Sequence, residues 1–145
     1  MNATTGTIQT FGATPAPRRT PRSIGAVIAG LLVIVGLSSA ADAVMHAAGI
    51  YPPLPQRMAG DLFLIATAYR IAFGVLGCYV TARLAPGRPM RHAMVLGGIG
   101  TVMATAGALA FWDFGPAWYS IVIIAISIPC AWAGARLHEA RSAAR

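Results

Sequence analysis

Apolar residues dominate four long stretches, 24–50, 62–84, 93–111 and 118–137, and polar residues gather in the short segments between them. A helix needs about 20 apolar residues to cross the hydrocarbon core of a bilayer, and each stretch is near or above that length. Strands of a membrane barrel would alternate polar and apolar positions, which these stretches do not. The pattern therefore predicts four transmembrane helices. The connections "YPPLPQRMAGD", "APGRPMRH" and "DFGPA" are short, so consecutive helices run antiparallel. Pro52, Pro53 and Pro55 stop the first helix from continuing. Pro89 stands where the third begins, a place that suits a residue without an N–H. The expected fold is all-α, a polytopic membrane protein built as a four-transmembrane-helix antiparallel bundle. Its membrane domain is 23–138, and 139–145 is a C-terminal tail. Residues 1–22, rich in Thr, Ala, Pro and Arg, have too little apolar surface to fold and read as a disordered tail.

Composition sharpens this picture. Charged residues are 10% of the chain, far below the roughly 25% of a soluble domain, which excludes that class. The formal net charge is +7 and every cation is an arginine. A basic chain invites nucleic acid as a partner, but here the arginines cap the apolar stretches, which is how membrane topology is written. The expected partner is the lipid bilayer and not nucleic acid. Arg18, Arg19 and Arg22 precede the first stretch, Arg83, Arg88 and Arg91 surround the second loop, and Arg136, Arg141 and Arg145 follow the last. The first loop has only Arg57, and the third has Asp113 and no cation. Positive residues stay in the cytoplasm, so both termini are expected there. Tyr51, Trp112, Trp118 and Tyr119 fall at the opposite interface, where amphipathic rings collect. One alternative stays open: the arginines at 18–22, the apolar 24–36 and "SSAADA" also fit a signal peptide with a small-residue cleavage site.

Small residues mark where membrane helices approach. The third helix offers Gly97, Thr101 and Thr105 on one face, with Gly100, Ala104 and Gly107 beside it. The second aligns Gly74, Gly77, Cys78 and Thr81, and the first Gly36, Ser39, Ala40 and Ala43. These faces predict a close bundle and leave room for a homo-oligomer. In the fourth helix Pro129 deprives the carbonyl near Ala125 of its donor. A bend is expected there, with Ser127 serving the freed backbone group.

The candidate chemistry lies in the few polar residues inside these helices. Arg70 is eight residues from the start of its stretch, about 12 Å deep at 1.5 Å per residue. Asp42 lies as far from the end of the first stretch, and the two are symmetric about Gln56 in the loop between them. An ion pair across the first hairpin is the simplest account. His46 stands one turn from Asp42, within i,i+4 reach, and Tyr69 adjoins Arg70. Asp42, His46 and Arg70 read either as a staple between two helices or as an intramembrane site that relays protons or holds an anion. Asp61 suits the positive end of the second helix dipole. His92 and His138 read as interface residues, and Cys78 and Cys130 as buried free thiols. A haem would need two histidines at matching depth, whereas His46 and His92 belong to opposite ends, so no cofactor and no metal is expected. The sequence holds no nucleophile elbow, phosphate loop or H-E-x-x-H, so no enzyme is expected.

The segments "DAVMHAAGIYPP", "ATAYR", "ARLAPGRPMRHA" and "PAWY" make the chain from about 24 to 137 resemble a group of small bacterial four-helix integral membrane proteins of unknown function. The resemblance implies the bundle and the bacterial inner membrane, and it carries no activity or site residue. The expected function is a non-enzymatic structural or accessory membrane component. The alternative is a small proton- or anion-coupled transporter using Asp42, His46 and Arg70.

Overall fold

The computed structural model describes residues 19–53 and 56–144. They form four helices: α1 (Arg19–Ala47), α2 (Gly60–Leu84), α3 (Pro89–Ala110) and α4 (Ala117–Ala143), with a 3-10 turn at Trp112–Phe114 before α4. All four are long and apolar enough to cross a membrane. Their outward surfaces are apolar as well: Leu32, Leu64, Val102 and Leu109 are among the large side chains left exposed. A water-soluble bundle would bury such residues. Here they form the continuous apolar coat that lipid requires.

The helices exceed their expected bounds at both ends of the chain. α1 begins at Arg19, so 19–22 are helical and not part of the tail. The rest of that tail, 1–18, lies outside the described residues, as does Pro55. α4 continues to Ala143, making most of 139–144 an extension of the last helix. Pro89 opens α3 as expected. α1 ends in a Schellman turn. Gly49 takes φ +69°, its N–H bonds to the His46 carbonyl, and the Ile50 N–H reaches back to Met45. This turn folds Tyr51 back toward the bundle.

Neighbours run as the loops demand. Along α1 and α2 the partners move in opposite directions, from Ala26 with Thr81 through Gly30 with Gly77 to Asp42 with Arg70. α3 and α4 are likewise antiparallel. α2 also packs along α4, and the two are parallel: Phe63 meets Tyr119, Gly74 meets Cys130 and Tyr79 meets His138. α1 and α3 touch only sparingly, which leaves a cleft between them. Arg57 of the first loop donates to the Asp113 carbonyl beyond α3, tying the two loops at that end together.

Close approach is where glycine is indispensable. A Cβ on Gly134 would stand 2.6 Å from the Val75 carbonyl oxygen and 2.7 Å from the Tyr79 nitrogen, both backbone atoms that cannot move aside. Gly30 and Gly77 make the matching contact between α1 and α2, each blocking a Cβ on the other through its carbonyl oxygen. The small face expected on α2 is therefore correct. The one expected on α1 is not: Gly36, Ser39, Ala40 and Ala43 are exposed, and the packing face runs instead through Ala26 and Gly30. Lipid and a neighbouring helix are equally apolar, so a stripe of small residues does not reveal which of them it meets. On α3, Gly97 abuts Ala131 while Gly107 faces open space. Gly134→Ala is expected to destabilise by about 1–3 kcal/mol through overpacking. Gly36→Ala should stay within about 0.5 kcal/mol of the parent. Thermal midpoints of the two variants in one detergent check this contrast.

α4 continues through Pro129, and Ser127 does not serve the carbonyl that the proline frees. Its hydroxyl donates to Ile123 at 3.0 Å, the ordinary i−4 bond of a helical serine. Cys78 and Cys130 are both buried and free, as expected.

Candidate functional site

The close contact of α1 with α2 brings Asp42 and Arg70 together. Arg70 Nη2 donates to Asp42 Oδ2 at 2.8 Å. The other carboxylate oxygen accepts from the Tyr69 hydroxyl. Tyr69 and Tyr51 hydroxyls lie 3.2 Å apart, so a chain of hydroxyls runs from Asp42 toward the loop end of the bundle. The Arg70 guanidinium also lies 5.8 Å from the Tyr69 ring centre, within cation–π range. Asp42 is thus fully engaged. Arg70 is not: its Nε is buried and has no hydrogen-bond partner.

Two cavities meet at this pair. One, of about 580 Å³, opens among the loop-end halves of the helices and is walled by aromatic rings, including Phe63, Tyr69, Phe111 and Tyr119. The other, of about 340 Å³, lies deeper, beside Gly74, Ser127 and Cys130. Asp42 and Arg70 line both. The loop-end cavity has the size and character of a small-molecule site: a mostly apolar wall with a few convergent polar groups.

The expected site residues are placed unequally. Asp42 and Arg70 pair as their matched depth implied. His46 does not join the carboxylate. Its Nδ1 donates to the backbone carbonyl of Asp42 at 2.8 Å, and its ring stands edge-on to Tyr51 at 5.4 Å. It lines the loop-end cavity from the side, exposed. The partner that takes the remaining Asp42 oxygen is Tyr69, the neighbour of Arg70 in sequence, with Tyr51 behind it. Tyr51 is 4% exposed, a buried member of the network and not an interface ring. Tyr119 is half-buried against Phe63 at 4.8 Å, whereas Trp112 and Trp118 are exposed as a belt would be. Asp61 is in the first turn of α2, where the helix dipole favours it. His92 and His138 are remote from the pair: the first bonds the Arg88 carbonyl and the second meets Tyr79. Among the described residues, no three of His, Cys, Asp and Glu converge as metal ligands.

No protein-family model, curated protein or solved structure matches this chain.

Proposed function

We propose that this chain is a non-enzymatic multi-pass protein of the bacterial inner membrane that carries a small organic anion together with a proton. Its centre is Asp42–Arg70, with Tyr69 and Tyr51 as the hydroxyl path. One observation carries the reading: Arg70 stands where two cavities meet, with one side of its guanidinium paired and its Nε lacking an acceptor. A purely structural pair would be expected to satisfy every buried donor. The aromatic wall suits a compact apolar body, and Arg70 suits a single anionic head.

Charge balance gives the mechanism. In the empty site the Asp42 carboxylate neutralises Arg70. An anion arriving at Arg70 would leave the site with one net negative charge, which a low-dielectric interior disfavours strongly. A proton on Asp42 removes that charge and frees Arg70 for the anion. Tyr69 serves both states, donating to the carboxylate and accepting from the carboxylic acid. The site is neutral when empty and when loaded, so one proton moves with each anion. Uptake of benzenesulfonate into proteoliposomes under an inward proton gradient tests this, since a sulfonate does not cross the bilayer unaided as a protonated weak acid does. Gradient-driven uptake lost in Arg70→Gln is the expected result. No uptake of any small organic anion overturns it.

The alternative role, a staple between α1 and α2, is favoured by the full engagement of both Asp42 oxygens. A staple alone would leave every function intact once both charges are replaced by apolar residues.

The orientation belongs to the same proposal: the arginine distribution supports both termini in the cytoplasm. Reporters active only in the periplasm should be silent when fused after residue 22, after Arg88 and at the C-terminus, and active after Pro55 and after Gly115. A periplasmic C-terminus overturns this topology.

A further inference from the structure

The sparse contact between α1 and α3 leaves a groove of about 670 Å³ at the end of the bundle that holds the termini, far from Asp42 and Arg70. Its walls are apolar: Ile24 and Ile28 from α1, Val95 and Ile99 from α3. Three of these, Ile24, Ile28 and Val95, are about half exposed, so no other described residue covers them fully. Its mouth is cationic, with Arg88 and Arg91 lining it and His92 beside them. We propose that this groove binds an anionic glycerophospholipid, its phosphate between Arg88 and Arg91 and one acyl chain lying along Ile24, Ile28, Val95 and Ile99.

Three observations carry this assignment. The first is charge. The chain has four acidic side chains, Asp42, Asp61, Asp113 and Glu139. The ion pairs among the described residues are Asp42 with Arg70 and Glu139 with Arg136, so neither Arg88 nor Arg91 has a carboxylate. The N-terminal 1–18 contain no acid and cannot supply one. The second is backbone conformation. Arg88 is the one non-glycine residue at positive φ among the described residues, at φ 49° and ψ 61°. This left-handed turn is unfavourable for an arginine, and Gly87 beside it would adopt it freely. Holding Arg88 there sets its side chain at the groove mouth, and strain of this kind concentrates at binding sites. Its carbonyl meanwhile takes bonds from the Arg91 N–H and from the His92 ring, fixing the three residues together. The third is length. From Arg91 to Ile99 the groove runs about 12 Å along α3, most of the roughly 15 Å depth of one leaflet. A free phosphate would use the arginines and leave the apolar walls bare. A neutral lipid would fill the walls and leave the arginines uncompensated.

The test is native mass spectrometry of the full chain, released from detergent with phosphatidylglycerol, phosphatidylcholine or inorganic phosphate. Each arginine near a membrane surface strengthens binding to anionic lipid by about five-fold, so two should favour phosphatidylglycerol over phosphatidylcholine by roughly thirty-fold. Arg91→Gln should cut that preference about five-fold. Arg88→Asn with Arg91→Gln should remove it, asparagine being chosen because it tolerates the left-handed turn. Val95→Trp fills the groove and should lower retention of both lipids while leaving the arginines in place. The control, Arg136→Gln with Arg141→Gln, removes the same charge elsewhere at that end and should leave the preference intact. Equal retention of the two lipids by the parent overturns the proposal. So does an equal loss in the control, which would make the effect one of bulk charge. Displacement of lipid by inorganic phosphate alone, or a lipid-free dimer occupying the face, overturns it as well. Arg91 is exposed, so the single variant at that position decides the matter even if the double variant fails to fold.

Discussion

Arg70→Leu is expected to lower the yield of folded protein sharply, Asp42→Leu to do the same, and the two together to restore most of it. Each single change strands one charge between α1 and α2. Removing one partner of a buried pair costs about 3–5 kcal/mol. The lower end applies here, because the two side chains keep 33% and 35% of their surface open to the cavities. Even so, about 3 kcal/mol is a large share of the roughly 5–15 kcal/mol that holds a domain folded. The double variant has no stranded charge, and two leucines suit the apolar surroundings, so little of the loss should remain. Tyr69 then loses its acceptor, and a deficit of about 1 kcal/mol from that hydroxyl is expected to persist. The readout is the monodisperse fraction on size exclusion, with the thermal midpoint of that fraction. Singles and double equally harmful would mean that the two residues do not act as a pair. The double variant also separates the two readings of the site. A staple that is no longer needed leaves every function intact, whereas loss of anion uptake from a well-folded double variant assigns the pair to transport.

Much of this was legible along the chain, for reasons that can be named. The four helices announce themselves because lipid imposes a length and an unbroken apolar run. Asp42 and Arg70 could be paired because a hairpin makes depth a matter of counting from the loop, and a charge in lipid needs a counter-charge. Tyr69 is visible beside Arg70 in the sequence, but nothing there shows that its hydroxyl turns to the same carboxylate. Both residues reach one carboxylate across the α1–α2 contact, each taking a different oxygen. The place of Tyr51 just past a helix suggests the interface. The signal against that was "AAGIY", a glycine at the position where a Schellman turn reverses the chain and tucks the next aromatic residue inward. His46 was placed in the site by its spacing from Asp42, but i,i+4 spacing serves a side chain's bond to a backbone carbonyl as well as a bond to a side chain. The packing face of α1 departs from its small-residue stripe for a deeper reason. In water, exposed and buried faces differ in polarity. In a membrane they do not, and only the shape of α2 selects Ala26 and Gly30 over Gly36 and Ala40.

Asp42→Asn should abolish proton-driven accumulation of the anion while leaving exchange of one anion for another. Neutrality of the proposed site dictates this outcome. Asparagine has nearly the shape of aspartate and can still meet Tyr69 and Arg70 with its amide, so the hairpin loses a charge and keeps its polar contacts. In the parent, the empty site is neutral only through the Asp42 carboxylate, and loading it requires a proton. In the variant, Arg70 has no carboxylate to leave, so the anion itself becomes the counter-charge. The loaded site is then the stable one and the empty site carries an unpaired arginine. Return of the empty carrier should become the slow step, by the factor that a stranded charge of about 3 kcal/mol implies, roughly a hundred-fold. Exchange never passes through the empty site and should continue near the parent rate. Benzenesulfonate uptake driven by a proton gradient, and counterflow of labelled against unlabelled benzenesulfonate, measure the two processes in the same vesicles. In the parent, uptake should rise as the outside is acidified and should ignore an imposed membrane potential, because no net charge crosses. Uptake that follows the potential would mean that the anion travels without its proton. Loss of exchange and accumulation together in Asp42→Asn would place the carboxylate in anion binding itself, and an Asp42→Asn protein that still accumulates the anion against its gradient would remove Asp42 from the proton path.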